Sequence, residues 1–129
     1  MIYIGLDGDD VGRKLERYFI ENDEFHLSEL SNNMSKSVNI LSEFSHTMGC
    51  DIIFVAGDNI LCKGENVDME ILQNYLESFN GPCTFSCGIG ETMEQTYLAL
   101  KYAKSVGKNS LVRCNGNSNF EILPLLKRR

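Results

Sequence analysis

Apolar positions recur at intervals of three and four from Leu27 through Leu30, Met34, Val38, Leu41 and Phe44 to Met48, which predicts a long helix with one apolar stripe. Ahead of it, Ile2-Tyr3-Ile4-Gly5-Leu6 reads as a short strand within residues 1–6 that stops at Asp7-Gly8-Asp9-Asp10, a turn and helix-start signal. Val11, Leu15, Tyr18 and Phe19 then keep helical spacing until Asn22-Asp23 breaks it. Gly49 closes the long helix. The runs 51–56 and 59–63 flank Gly57-Asp58 and predict a hairpin with Asp58 at its tip. Met69, Leu72, Leu76 and Phe79 predict a third helix, which leads through Gly81-Pro82 to a strand over 83–89. Gly90-Glu91-Thr92 opens a fourth helix to about Val106, Gly107 ends it, and 110–114 reads as a further strand. Asn115 to Asn119 form a loop before a short tail expected to pair weakly at a sheet edge.

This order is β-α-β-β-α-β with a helix inserted in the first crossover and a helix-strand extension. The expected fold is therefore an α+β, ferredoxin-like sandwich, mainly antiparallel, with helices packed on the sheet. In that topology the end of the first strand and the turn between the second and third lie at the same end of the sheet. Asp7 and Asp58, far apart in sequence, become neighbours.

Composition narrows the picture. A chain of 129 residues with 43% apolar and 23% charged residues describes one compact domain over residues 1–129. Its net charge of −6 leaves no broad basic surface, which excludes a protein that coats nucleic-acid duplexes. A phosphate ligand must be met by a local cation cluster or a metal. No stretch is long and apolar enough to span a membrane, and the first residues carry no basic region or cleavage site, so a cytoplasmic location is expected. The five cysteines, odd in number and set in apolar runs, read as reduced core thiols. Cys83 and Cys87, if in one strand, lie too far apart to bridge.

Two carboxylates meeting at a sheet end repel each other unless they share a proton or a cation, so Asp7 and Asp58 form either a dyad or a divalent metal site. Mg²⁺ suits them better, because it takes carboxylate and carbonyl oxygens together with waters and substrate phosphates. Gly8 adds a carbonyl and lets a phosphate approach the backbone. The free N–H groups at the start of the first helix, from Asp10 to Arg13 and helped by Gly12, offer an anion site. Lys101, Lys104 and Lys108 follow at three and four residues and are expected on one helical face. Each feature alone has an ordinary explanation, as turn and capping aspartates or as lysines complementing a helix dipole. His26 and His46 lie apart, without an acid or thiol cluster, and read as surface or packing residues. Ser86 and Ser110 lack the context of a serine nucleophile.

Ile4-Gly5-Leu6-Asp7-Gly8-Asp9-Asp10-Val11-Gly12, Ala56-Gly57-Asp58-Asn59 and Ala99-Leu100-Lys101-Tyr102-Ala103-Lys104-Ser105-Val106-Gly107-Lys108-Asn109 resemble, in order and spacing, the palm-type nucleotidyltransferase and cyclase superfamily. The resemblance is closest to the minimal CRISPR polymerase family and the related palm of the type III CRISPR large subunit, with the GGDEF diguanylate cyclases as more distant cousins. It implies that Asp7 and Asp58, with the Gly8 carbonyl, hold two Mg²⁺ or Mn²⁺ ions and that Lys104 contacts the triphosphate of a nucleotide, with Lys101 and Lys108 nearby. Asp9, Asp10, Val11, Gly12 and Asn59 complete the nucleotide-binding set implied. The implied activity is synthesis of a cyclic di- or oligonucleotide messenger from nucleoside triphosphates, in a prokaryotic antiviral signalling setting with an effector that reads the product.

Two positions depart from the family pattern. The hairpin reads Ala56-Gly57-Asp58-Asn59 where a second acid usually follows the aspartate, so one carboxylate is missing. The position of the guanine-reading asparagine of diguanylate cyclases is Leu15, which has no hydrogen-bonding group, so ATP is expected over GTP. The alternatives are a palm-like GTP cyclohydrolase and a degenerate palm that binds nucleotide as a sensor. Because one chain offers one metal site and one triphosphate cradle, joining two nucleotides calls for a homodimer.

Overall fold

The computed structural model describes residues 1–116 and 119–125; Asn117 and Ser118, in the loop expected over 115–119, lie outside them. The elements are β1 (Ile2–Gly8), α1 (Val11–Ile20), α2 (Glu24–Thr47), β2 (Cys50–Ala56), β3 (Asn59–Gly64), α3 (Met69–Ser78), β4 (Phe85–Gly90), α4 (Met93–Ser105), β5 (Ser110–Cys114) and β6 (Phe120–Pro124). The described strands form one sheet in the order β2-β3-β1-β4-β5-β6, antiparallel except where β4 and β5 run parallel. The first four positions of that order are those of a ferredoxin-like sheet, as expected from the element sequence.

The stripe on α2 buries Leu30, Met34, Val38 and Leu41 against Ile4, Leu6, Ile60, Cys62 and Cys87 of the sheet. Each such side chain stabilises the fold by about 1.5–3 kcal/mol, so this face holds most of the core. Val11 of α1 and Leu72 and Leu76 of α3 join it, and Phe44 of α2 stacks on Tyr75 of α3 at 3.5 Å between ring centres. α4 crosses the opposite face with Ala99 and Ala103 over Val112 and Cys114. It sits there because Gly88 has no side chain: a Cβ on it would lie 2.5 Å from both the Thr96 carbonyl oxygen and the Leu100 nitrogen. Asp68 and Thr92 cap α3 and α4 through their side chains.

Two strand boundaries, the seat of Lys108 and the pairing of the tail differ notably from expectation. β1 runs on through Gly8, because Asp7 stays in the ladder between Asn59 and Ser86. β4 starts at Phe85, with the Thr84 carbonyl instead accepting from the Asp9 N–H at 2.9 Å. Lys108 is not on the face of α4. That helix ends at Ser105, and Gly107 (φ +123°) and Lys108 (φ +64°) turn the chain into β5. The tail pairs with β5 over five residues, a full edge strand rather than a weak contact. The five cysteines carry no disulfide, and Cys83 lies just ahead of β4 with Cys87 inside it.

Candidate functional site

β1 delivers Asp7 to the end of the sheet, and the β2–β3 hairpin delivers Asp58 to the same place. The Gly8 N–H donates to the Asp58 carbonyl at 3.2 Å, which ties the strand end to the hairpin tip. Gly8 is the residue that makes this approach possible. A Cβ there would stand 2.9 Å from Val11 Cγ2 and 3.0 Å from Asp58 Oδ2. Burial raises the proton affinity of the Asp58 carboxyl above the ordinary value, and the neighbouring Asp7 carboxylate raises it further. The side chain of Asn59, next in the chain, donates to Asp58 Oδ1 at 3.4 Å.

Lys104 reaches in from α4. Its ammonium donates to the Gly8 carbonyl at 2.9 Å, to the Asp7 carbonyl at 3.3 Å and to Asp9 Oδ1 at 2.8 Å, and pairs with Asp7 Oδ2 at 3.2 Å. Burial alone would pull its pKa down, yet the Asp9 and Asp7 carboxylates outweigh that and hold it above the ordinary value. A cation is thus seated between the Asp7 carboxylate and the Gly8 carbonyl, beside Asp58.

Asp9 does not face this opening. Only 4% exposed, it accepts from Thr84 Oγ1 at 2.6 Å, Ser86 Oγ at 2.7 Å and the Asn109 N–H at 2.9 Å, in addition to Lys104. Burial pushes its pKa up, and these four donors together push it down further, so the carboxylate stays ionised. Its side chain fastens the β1–α1 turn to β4, α4 and the α4–β5 turn. Thr84 and Ser86 complete this anchor without any local mark in the sequence, since the two hydroxyls stand 75 and 77 residues from their acceptor.

Asp10 precedes α1 in the left-handed region (φ +59°) and makes no side-chain cap, which leaves the first N–H groups of the helix, at Val11, Gly12 and Arg13, without a capping side chain. Its carboxylate pairs instead with Lys108, whose hydrogen bond holds the Asp10 pKa below the ordinary value. Lys101 stands on α4 with its ammonium 5.5 Å from the centre of the Tyr97 ring. Asp7, Asp58, Lys104, Asn59 and the α1 start therefore converge, Lys108 reaches the edge of the group from a turn, and Lys101 lines a cleft of about 460 Å³ beside it, between α4 and the β2–β3 hairpin.

Asp7 Oδ2, the Gly8 carbonyl and the Asp58 carboxylate are hard oxygen donors of the kind Mg²⁺ or Mn²⁺ accepts, and the first two already hold an ammonium that Asp58 feels at longer range, so the residues fit a divalent ion. Among the described residues no three or more His, Cys, Asp or Glu side chains cluster as a ready metal cage. Two carboxylates and a carbonyl match an ion that keeps waters and shares substrate phosphates.

A palm-type α+β fold is defined by this sheet and the helices on its two faces. The fold is similar to that of the adenylyl cyclase CyaB from P. aeruginosa (TM-score 0.56, 12% identity, covering 87% of this chain and 74% of that one). It is also similar to a diguanylate cyclase/phosphodiesterase from Caldicellulosiruptor saccharolyticus (TM-score 0.55, 16% identity, covering 93% and 78%). The chain belongs to the minimal CRISPR polymerase (mCpol) family, whose domain matches residues 3–114. No sequence match is found among curated proteins. No helix among the described residues is long and apolar enough to cross a membrane.

Proposed function

We propose that the protein is a metal-dependent nucleotidyltransferase that joins nucleoside triphosphates, ATP in preference to GTP, into a cyclic di- or oligonucleotide messenger. The observation that carries this reading is the meeting of Asp7, Asp58 and the Lys104 ammonium at the end of β1, in a chain of the minimal CRISPR polymerase family. Asp7, Asp58 and the Gly8 carbonyl would hold two Mg²⁺ or Mn²⁺ ions. When bound, such ions lower the pKa of an attacking hydroxyl and neutralise a leaving pyrophosphate.

The chain's own residues do the rest. The uncapped N–H groups of Val11 and Gly12, with Lys108, bind the triphosphate at the start of α1. Lys104, held by Asp9, sits where it can follow negative charge from the carboxylates to the phosphates. A ribose hydroxyl oxygen forms a bond to the α-phosphorus, the α–β phosphoanhydride breaks, pyrophosphate leaves, and the hydroxyl proton passes to solvent. The hydroxyl comes from a second nucleotide, which a homodimer facing across a two-fold axis supplies. Leu15 in place of a guanine reader supports adenine. The family supports a cytoplasmic antiviral signalling role, with the product read by a separate effector.

The test is incubation with each triphosphate and Mg²⁺ or Mn²⁺, with products identified by mass spectrometry. A cyclic nucleotide supports the proposal, an opened purine ring replaces it with a cyclohydrolase, and no product from a protein that still binds ATP leaves a sensor, the reading that Asn59 favours. Asp7→Ala and Asp58→Ala are expected to abolish turnover in folded protein. Rate is expected to rise more steeply than linearly with enzyme concentration in the dilute range; strict proportionality in a monomeric range would remove the dimer.

A further inference from the structure

The Lys104 ammonium has three N–H donors and lies against four oxygens. Two of the four, Asp7 Oδ2 at 3.2 Å and the Gly8 carbonyl at 2.9 Å, are also two of the three donors that fit a divalent ion. Mg²⁺ demands its oxygens at about 2.1 Å, so an ion on the Gly8 carbonyl would stand no more than about 5 Å from the ammonium, the sum of the two bonds. Two positive charges then share the same lone pairs in a partly buried corner, where Lys104 and Asp7 are 23% and 27% exposed and solvent screens little.

The third shared contact of Lys104 is of another kind. Asp9 Oδ1, at 2.8 Å, is turned away from the opening and fixed by Thr84, Ser86 and the Asn109 N–H. It keeps hold of the ammonium while the bonds to Asp7 and Gly8 are exchanged. Lys108 and Lys101 have other engagements, the first with Asp10 and the second beside the Tyr97 ring. Asp58 is covered in a similar manner. Asn59 stands directly across the ladder from Asp7 and donates to Asp58 Oδ1 at 3.4 Å, so a neutral donor stands where a further acid would strengthen the pull on an ion. Each of the two carboxylates thus has a donor of this chain against it.

We infer that Lys104 is a built-in competitor of the divalent ion: its ammonium and the ion exclude each other from Asp7 Oδ2 and the Gly8 carbonyl, so the ion enters together with a triphosphate and binds weakly alone. This rests on the proposed metal and triphosphate site and adds how that site is loaded. An ion that arrives alone takes two acceptors from the ammonium and returns none, which leaves partly buried N–H groups unpaired. An ion that arrives on a triphosphate brings phosphate oxygens, and these accept the N–H groups that Asp7 and Gly8 release. The exchange turns Lys104 about its Asp9 anchor, and the same residue that resists the bare ion holds the loaded one.

The experiment has two arms. In the first, Mn²⁺ binding to the full chain without nucleotide is followed by electron paramagnetic resonance, and binding of magnesium tripolyphosphate by calorimetry, in wild type and Lys104→Met. The variant is expected to bind Mn²⁺ roughly 10- to 100-fold more tightly, the range for one hydrogen bond to a charged group that the ion no longer has to break, and magnesium tripolyphosphate at least about 10-fold more weakly. Unchanged or weaker Mn²⁺ binding overturns the proposal. Because Lys104→Met strands Asp9 and can loosen the turn, the second arm uses the wild-type chain, labelled with ¹³C and ¹⁵N. Mg²⁺ is titrated in, its binding read at the Gly8 amide and the place of the ammonium at the Lys104 Cε and Nζ resonances. Both sets are expected to move with one midpoint, at far lower concentration when tripolyphosphate accompanies the ion. An ion that shifts the Gly8 amide and leaves the Lys104 resonances in place overturns the competition, even if Lys104→Met binds Mn²⁺ more tightly, since removal of a nearby charge alone would then explain the gain. Either of these results refutes the competition and leaves the site standing, whereas a wild-type chain that binds neither Mn²⁺ nor magnesium tripolyphosphate refutes the site as well.

Discussion

Replacing Asp9 with alanine tests whether the turn that carries Asp7 and Gly8 is held from inside. The substitution strands the Ser86 hydroxyl, fully buried, together with the Thr84 hydroxyl and the Asn109 N–H, and it takes from Lys104 the shortest of its contacts. Removing one member of a buried ion pair costs about 3–5 kcal/mol, and each buried donor left without an acceptor costs about 1–3 kcal/mol. Lys104 keeps Asp7 as a partner, and both hydroxyls can rotate, so the expected total is about 4 kcal/mol. With an unfolding entropy of ~2.1 cal/mol/K per residue, a chain of this length would melt roughly 15 °C lower. Urea unfolding followed by circular dichroism, at pH 7 and with an unchanged denaturant slope, gives the number. The sign with pH is fixed too. Asp9 has a pKa lowered by folding, so its stabilisation is present above the ordinary value of 3.8 and fades as pH falls through the lowered one; the gap between wild type and variant should narrow in strong acid. A loss below about 1 kcal/mol at pH 7 would refute the argument that this carboxylate holds the turn.

Gly8→Ala should leave the circular dichroism spectrum unchanged yet lower turnover about 100-fold, because the added methyl displaces Asp58 or Val11 from within 3 Å; wild-type turnover would remove Gly8 from the site. Gly88→Ala should lower stability by about 1–3 kcal/mol in thermal melts, since the atoms its methyl meets are α4 backbone and cannot swing away. Asp58→Asn should raise the melting temperature at pH 7 in a chelator while ending turnover. The raised pKa of Asp58 means that its ionised form opposes folding above the ordinary value of 3.8, so the gain should vanish in acid, and an unchanged or lower melting temperature at pH 7 would contradict it. Lys108→Ala should leave the melting temperature near wild type, because its pair with Asp10 is at the surface, and yet weaken tripolyphosphate binding in calorimetry.

Elements whose shape follows from local rules were legible in the sequence. The α2 stripe had the right period, and the Gly57-Asp58 turn placed an acid at a hairpin tip, because periodicity and turn chemistry act over a few residues. Topology then brought Asp7 and Asp58 together without any knowledge of side-chain geometry. Lys108 was misplaced for a reason of the same local kind: its spacing from Lys104 is helical, but Gly107 in the left-handed region ends the helix first. Asp9 was illegible for a different reason. In sequence it is one of three equal aspartates, and what separates it from Asp7 and Asp10 is where β4 and the α4–β5 turn bring their donors, at separations of 75 to 100 residues. The cleft was hidden in the same way, since Phe54, Gly5 and Tyr97 become one surface only once the register of three strands and the seating of α4 on Gly88 are fixed. In this fold, then, the groups that carry charge can be read from motifs. The groups that hold those charges in place, Asp9 with Thr84, Ser86 and Asn109, are defined only by long-range pairing.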